Sequence, residues 1–318
     1  MHYLLTGGTG FIGTHLTMRL LEKNSHQVTV LDNFMSSRPS KNQVNNCTVV
    51  QGSVLDKTLV DSLVKECDQI IHLAAVVGVR QAIKKGLDGL RVNFIGTDNV
   101  LEAATKYGKE VFVSSSSAIY GKISEIPVPE EADCLLGCSY KSSWLYSVSK
   151  LAEEHLALAY FREMNTQVKI GRFFNVIGPY QTGAYGMVVP TFIKKALNNE
   201  PLPVYHTGEQ TRTFVYIEDA LNGLEYVLDQ GLIGRVYNIG GIKEISILNL
   251  AKIIISLTGS QSQISFVPYK EAFGDSFEET ARRVPDINQL QGLGYVPRFT
   301  LNQALLEIID HHRQMGQD

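Results

Sequence analysis

Residues 2–21 pass from a short apolar run, His2 to Leu5, through Gly7, Gly10 and Gly13 into a second apolar stretch, Phe11 to Leu21. The pattern is a strand, a tight glycine turn and a helix, and it constrains the fold more than any other feature of the chain. Glycines at such a turn let the backbone approach a pyrophosphate, and the helix N-terminus supplies N–H donors and a positive dipole end. The spacing is G-x-x-G-x-x-G, one residue longer than the G-x-G-x-x-G form. A second apolar run, Gln27 to Leu31, ends in Asp32. A carboxylate at that place accepts the hydroxyls of an adenosine ribose and repels a 2′-phosphate, which predicts NAD over NADP. Arg38 leaves a second reading open, since an arginine in this loop can meet a 2′-phosphate.

The alternation continues along the chain. Strands are expected at His2–Thr6, Gln27–Leu31, Thr48–Gln51, Gln69–Leu73, Glu110–Ser114 and Val168–Gly171, with helices at 11–23, 56–66, 90–107 and 144–164 between them. This predicts an α/β fold: a Rossmann-type, doubly wound parallel sheet with helices on both faces. Past Pro179, prolines and glycines punctuate the chain. Residues 1–177 form the expected dinucleotide-binding domain, and 178–318 form mainly a smaller C-terminal substrate-binding lobe. A helix near Ile217–Leu228 and a strand at Arg235–Ile239 are expected to return 211–240 to the main sheet.

A net charge of −3 over 318 residues argues against a nucleic-acid footprint. No apolar run approaches the roughly 20 residues that span a bilayer, and no leader-like segment opens the chain. The cysteines, Cys47, Cys67, Cys134 and Cys138, are scattered, which fits a reducing cytoplasm and makes a poor metal site.

Ligands of open α/β sheets sit at the carboxyl ends of the strands, so chemistry is sought there. Tyr146 and Lys150 lie four residues apart in a helical segment and share one face. A nearby ammonium favours phenolate, so Lys150 is expected to lower the Tyr146 pKa and let it exchange a hydroxyl proton near neutral pH. Ser116, in the run Ser114–Ser117 after the fifth strand, offers a hydroxyl able to bridge Tyr146 and a substrate oxygen.

The motifs together resemble the extended short-chain dehydrogenase/reductase family, and within it the nucleotide-sugar epimerases, dehydratases and decarboxylases. They are the glycine turn, Asp32-Asn33, His72-Leu73-Ala74-Ala75, Asn93 with Gly96-Thr97, Ile119-Tyr120-Gly121 after the serines, Tyr146-x-x-x-Lys150 and Arg172-Phe173-Phe174-Asn175. Further stretches, Pro201–Tyr205, Gln210–Phe214, Tyr237–Gly240 and Arg282–Asp286, extend the likeness over nearly the whole chain.

The resemblance implies a bound NAD that oxidises the sugar at C4, with Tyr146 as base, Lys150 tuning it and holding the nicotinamide ribose, and Ser116 as the catalytic hydroxyl. It places Gly7, Gly10, Phe11, Ile12, Gly13, Asp32, Asn33, Ser53, Val54, Leu73, Ala74, Ala75, Asn93, Ser114 and Phe174 at the cofactor. Ser53 stands where the family usually carries an acid, so altered adenine contacts are expected. Substrate contacts fall to Arg80, Asn175, Val189, Tyr205, Arg212 and Arg283 as well as Ser116, the arginines Arg212 and Arg283 on the nucleotide pyrophosphate. Relatives pair through the helices near 90–107 and 144–164, which implies a homodimer.

The reaction divides on two positions. Dehydratases of this group carry an Asp-Glu pair after the catalytic hydroxyl, and decarboxylases a Glu two residues after it. Here those positions hold Ser117 and Ala118, which favours a 4-epimerase on a UDP-linked hexose or hexuronate. Lys141–Ser147 and Arg283 look more like the glucuronate decarboxylases, and Arg80 resembles glucuronate epimerases. Decarboxylase is therefore the second reading and 4,6-dehydratase the third. A dinucleotide-binding sensor or scaffold is the alternative outside enzymology.

Overall fold

The computed structural model describes all residues except 24, 36–46, 79–84, 184–185, 275–276, 279 and 316–318, so Arg38 and Arg80 lie outside the described residues. Seven parallel strands form the central sheet: β1 (His2–Thr6), β2 (Gln27–Asp32), β3 (Thr48–Gln51), β4 (Gln69–His72), β5 (Glu110–Ser116), β6 (Val168–Phe173) and, returning from the distal half of the chain, Arg235–Ile239. Their order is β3-β2-β1-β4-β5-β6, with Arg235–Ile239 outside β6 in register Arg235↔Lys169 to Ile239↔Phe173. The order reverses between β1 and β4, and the glycine turn after β1 opens onto that switch point, where ligands of such sheets bind.

The inner strands are largely apolar on both faces because both faces are covered. Side chains alternate across the sheet. Tyr3, Leu5, Val28, Val30, Ile71 and Phe112 face a core completed by Leu16 and Leu20 of α1 (Phe11–Glu22) and by Ala220, Leu221 and Leu224 of the helix Ile217–Gln230. Leu4, Leu31, Ile70, Val111 and Val113 face the opposite core. There they meet Val60 and Val64 of α2 (Lys57–Glu66), Val100, Leu101 and Ala104 of α3 (Gly86–Tyr107) and Ala157 of α4 (Leu145–Met164).

Local chemistry sets the helix ends. Asp56 caps α2 by accepting the Leu59 N–H at 3.0 Å. α3 ends on Gly108 and α4 on Asn165, both left-handed, the conformation in which glycine and asparagine best satisfy the last carbonyls.

A third core lies in the C-terminal lobe. Val189, Phe192 and Ile193 of α5 (Val188–Leu197) pack with Ile247, Leu250 and Ile254 of the helix Ile247–Thr258 and with Leu305 and Ile308 of the helix Leu301–Met315. Its small sheets pair Leu202–Tyr205 with Ile264–Val267 in parallel, and Thr211–Thr213 with Glu244–Ser246 antiparallel. Among the described residues no helix is long and apolar enough to cross a membrane.

Candidate active site

The glycine turn is built for close approach. Gly7 has φ +72°, and a Cβ there would stand 2.7 Å from the Ala74 amide nitrogen. A Cβ on Gly13 would come within 2.5 Å of Gly7 O, so α1 can seat against the turn only with glycine there. Gly10 precedes α1, no side chain caps that helix, and its first turn carries no acid. Phe11, Ile12 and Gly13 therefore open the helix with the N–H-rich end that suits a pyrophosphate.

Asp32, at the end of β2, accepts the Thr9 N–H at 3.1 Å on Oδ2 and the Phe34 N–H at 2.9 Å on Oδ1. Each oxygen keeps a further lone pair for a ribose hydroxyl. Asn33 Oδ1 accepts the Met35 N–H at 3.1 Å, and Ser53 Oγ accepts the Leu55 N–H at 3.2 Å, so both side chains shape their own turns. Val54 is buried beneath α3, where a Cβ on Gly96 would press to 2.4 Å of its methyl. The segment Leu73-Ala74-Ala75 leaves β4 with Leu73 N–H bonded to Thr6 O at 3.0 Å. These residues make a cradle that fits a dinucleotide.

Three residues meet at the carboxyl end of β5. The strand runs to Ser116, two residues beyond the expected end, because Ser115 and Ser116 pair in register with Arg172 and Phe173 of β6. Ser116 is thus held by the sheet, and its hydroxyl accepts the Ala118 N–H at 3.2 Å. The hydroxyl lies close enough to the Tyr146 phenol to favour its ionised form. Tyr146 lies in the first turn of α4 and Lys150 in the next. Lys150 Nζ donates to Ser114 O at 2.9 Å and to Glu153 Oε2 at 2.9 Å.

One expectation is corrected here. Lys150 does favour the phenolate, but burial of the hydroxyl outweighs it, and the Tyr146 pKa lies above its ordinary value rather than below. Glu153 opposes the lysine further, and Arg283 assists it. Burial pulls the Lys150 ammonium down, yet Glu153, Tyr146 and Glu154 together hold it above its ordinary value. Burial pushes the Glu153 carboxyl up to about 7 against the pull of Lys150.

A buried line of hydrogen bonds ties this pocket to the glycine turn. Thr97 Oγ1 donates to Asn93 O at 2.6 Å, so the His72 Nε2 contact to Thr97 at 2.9 Å must be an N–H donor. His72 Nδ1 is then the acceptor for Thr6 Oγ1 at 2.6 Å. Burial and the Lys150 charge push the His72 pKa down to about 3, which keeps the ring neutral. The Asn93 amide holds Val76 N at 2.8 Å and Ser149 Oγ at 2.9 Å, clamping the loop after β4 to α4.

The expected substrate residues among the described ones lie on several segments, and the Arg283 charge reaches Tyr146. Thr211 N–H bonds Ala281 O at 3.0 Å, so the stretches carrying Arg212 and Arg283 run side by side. Val128 exchanges bonds with Val284 O and the Asp286 N–H at 2.8 and 2.9 Å, which anchors the Arg283 stretch to the loop beyond Ser116. Asn175 has φ +30° and commits its amide to Thr213 O at 2.8 Å. Tyr205 stacks obliquely on Tyr269 with centroids 6.3 Å apart. Val189 is buried in the lobe core, and Phe174 is fully buried against Tyr120. Ser117 is buried, and Ala118 is half-buried beside Ser116.

Two features went unread in the sequence. Glu153 shares the Lys150 face of α4 by its three-residue spacing, the signal that points to it. Behind Ser116, Arg172 makes a two-pronged pair with Glu154 at 2.9 and 2.8 Å and bonds the Tyr120 hydroxyl at 2.7 Å and Glu130 O at 2.6 Å. Nothing in a lone arginine on a strand signals such a network.

A doubly wound sheet with a glycine cradle at its switch point and a Ser–Tyr–Lys set at a neighbouring strand end defines a dinucleotide-dependent enzyme. The chain belongs to the NAD-dependent epimerase/dehydratase family, whose sequence pattern matches residues 3–240. It is an enzyme of the NAD-dependent nucleotide-sugar epimerase, dehydratase and decarboxylase group. It is 38% identical over 319 residues to a UDP-N-acetyl-alpha-D-glucosaminuronate decarboxylase of Bacillus cytotoxicus, covering 99% of this chain and 98% of that one. Its fold matches a UDP-glucose 4-epimerase of Thermotoga maritima with TM-score 0.89 at 27% identity, over 99% of both chains. It also matches a UDP-glucuronic acid 4-epimerase of Bacillus cereus, solved with UDP-glucuronic acid and NAD, with TM-score 0.88 at 28% identity over 99% and 100% of the two chains.

Proposed function

We propose that the protein is a nucleotide-sugar 4-epimerase acting on a UDP-linked hexose or hexuronate through a transient 4-keto sugar. The observation that carries this reading is the pair Ser117 and Ala118 beside Ser116, where no carboxylic acid stands. A 4-keto sugar needs no further acid to turn over and accept hydride on its other face. Expelling a C6 hydroxyl, by contrast, needs both a base at C5 and an acid at C6.

In this reading Tyr146 removes the C4 hydroxyl proton and later returns it, with Ser116 bridging phenol and sugar oxygen. Lys150 supports the phenolate and holds the nicotinamide ribose. Arg212 and Arg283 clamp the diphosphate, and Asn175 and Tyr205 bound the sugar–phosphate and base ends. Gly7, Gly10, Phe11, Ile12 and Gly13 take the cofactor pyrophosphate, and Asp32 the adenosine ribose. Bound NAD supplies the hydride acceptor at C4. We further propose that two copies pair through α3 and α4. Phe94, Ile95 and Val148 are exposed there along an open groove of about 290 Å³.

A decarboxylase is the second reading, favoured by the 38% identical relative. The 4-keto form of a uronate is a β-keto acid and can lose carbon dioxide, but the Glu that decarboxylases resembling this chain carry two residues after the catalytic hydroxyl is Ala118 here. NMR analysis of products from UDP-glucuronate, UDP-glucose, UDP-N-acetylglucosamine and UDP-N-acetylglucosaminuronate decides. A 4-epimer with all carbons retained supports the proposal. A pentose product with carbon dioxide release, or a 4-keto-6-deoxy sugar, overturns it.

A further inference from the structure

The pair beneath the catalytic tyrosine is unusual in its burial. Glu153 is fully buried and Lys150 nearly so, and they meet at 2.9 Å one helical turn below Tyr146. An ammonium has three N–H donors. Lys150 commits one to Ser114 O and one to Glu153 Oε2, which fixes the direction of the third. Thr97 neighbours the Glu153 carboxyl, whose second oxygen is Oε1, but its hydroxyl proton already goes to Asn93 O. Among the described residues Oε1 is buried with no donor. A carboxylate so placed has one strong partner, and that partner is the lysine on which the tyrosine also depends.

We propose that Glu153 is a positioning residue: its carboxylate tethers Lys150 and takes up part of the lysine charge, so that the Tyr146 phenol keeps enough proton affinity to return a proton as well as remove it. This rests on the reading of Tyr146 as the base at C4. A reaction that removes and restores the same hydroxyl needs a group matched to both steps, since a phenol made too acidic is a poor acid on the return. Other charges face the pair as well. On α4 itself stand Tyr146 and Glu154, the latter neutralised by Arg172 from β6. From β4 comes His72, neutral, and from the distal segment Arg283, whose charge reaches Tyr146. Glu153 is thus the carboxylate in ion-pair contact with Lys150 that has no second cation among its described contacts.

The test is an ultraviolet difference titration of the Tyr146 phenolate in the NAD-loaded protein without substrate. Wild type, Glu153→Gln and Glu153→Asp are each compared with the same protein carrying Tyr146→Phe. Glutamine keeps an oxygen for the lysine and removes the charge. Its phenolate titration is expected about one pH unit lower than wild type. Aspartate keeps the charge one methylene further away and falls between the two. In turnover, the acid limb of the Glu153→Gln pH profile moves down by the same amount, and kcat changes more than KM. A Glu153→Gln titration at or above the wild-type position overturns the proposal, and if that variant does not fold, Glu153→Asp is read by the same criterion. The titration needs no sugar nucleotide, so a protein that epimerises nothing sinks the functional reading and leaves this result standing.

Discussion

At the scale of single residues, the site is a competition among buried charges. Tyr146, Lys150 and Glu153 share two charges within two helical turns, and burial decides which of them resists ionisation. Tyr146→Phe removes the phenolic hydroxyl and with it the exchangeable proton, so turnover is expected to fall by about 10²–10⁴. NAD is expected to copurify, and its amount, read from absorbance, should stay near wild type in this variant, as should the melting temperature. Retained turnover in that variant would overturn Tyr146 as the base at C4. Gly7→Ala places a Cβ 2.7 Å from backbone at φ +72°. It is expected to cost about 1–3 kcal/mol in a urea melt and to strip the copurified NAD. His72 gives a pH prediction. Its folded pKa is pushed down to about 3, while unfolding restores the ordinary value of 6.5. The unfolded state therefore binds more protons across that window, so stability is full above pH 6.5 and falls as pH drops toward 3. Melts of His72→Asn should lose that part of the slope, which amounts to roughly 1.4 kcal/mol for each pH unit separating the folded and unfolded pKa values.

At the scale of elements, α4 carries most of the consequences. Its first turn presents Tyr146, its second presents Lys150, and its other faces bury Glu154 and expose Val148. Arg172 joins α4 to β6 and to the Tyr120 and Glu130 region, all of it buried. Removing one member leaves an uncompensated buried charge. Glu154→Gln is expected to cost about 3–5 kcal/mol by chemical denaturation, well above the loss from a surface pair such as Lys57–Glu102. The exposed face of α4 runs beside Phe94 and Ile95 of α3. The wild type is expected to sediment as a dimer, and Phe94→Glu with Val148→Glu should yield a monomeric mass. A wild-type monomer at micromolar concentration would end the dimer proposal.

At the scale of the whole molecule, two covalently distant stretches join the first half of the chain. Arg235–Ile239 closes the sheet beside β6, and the segment around Arg283 returns to the loop beyond Ser116. The sheet was legible in the sequence because its strands are buried on both faces and its helices alternate with them, a local pattern of apolar residues and glycines. Ser116, Tyr146 and Lys150 were legible because a strand end and one helical turn fix where their backbone lies. The extension of β5 through Ser116 was not, since serines carry no strand signal and only pairing with β6 holds them. The direction in which the Tyr146 pKa moves was not legible either: spacing reveals a lysine one turn away but not how much water the fold removes. The sequence alone thus determined the layers, the glycine turn and the spacing that sets Tyr146 and Lys150 on one helix face. The tertiary structure decided the direction in which their pKa values move, because burial and the company of Glu153, Glu154, Arg172 and Arg283 depend on contacts between segments far apart in the chain.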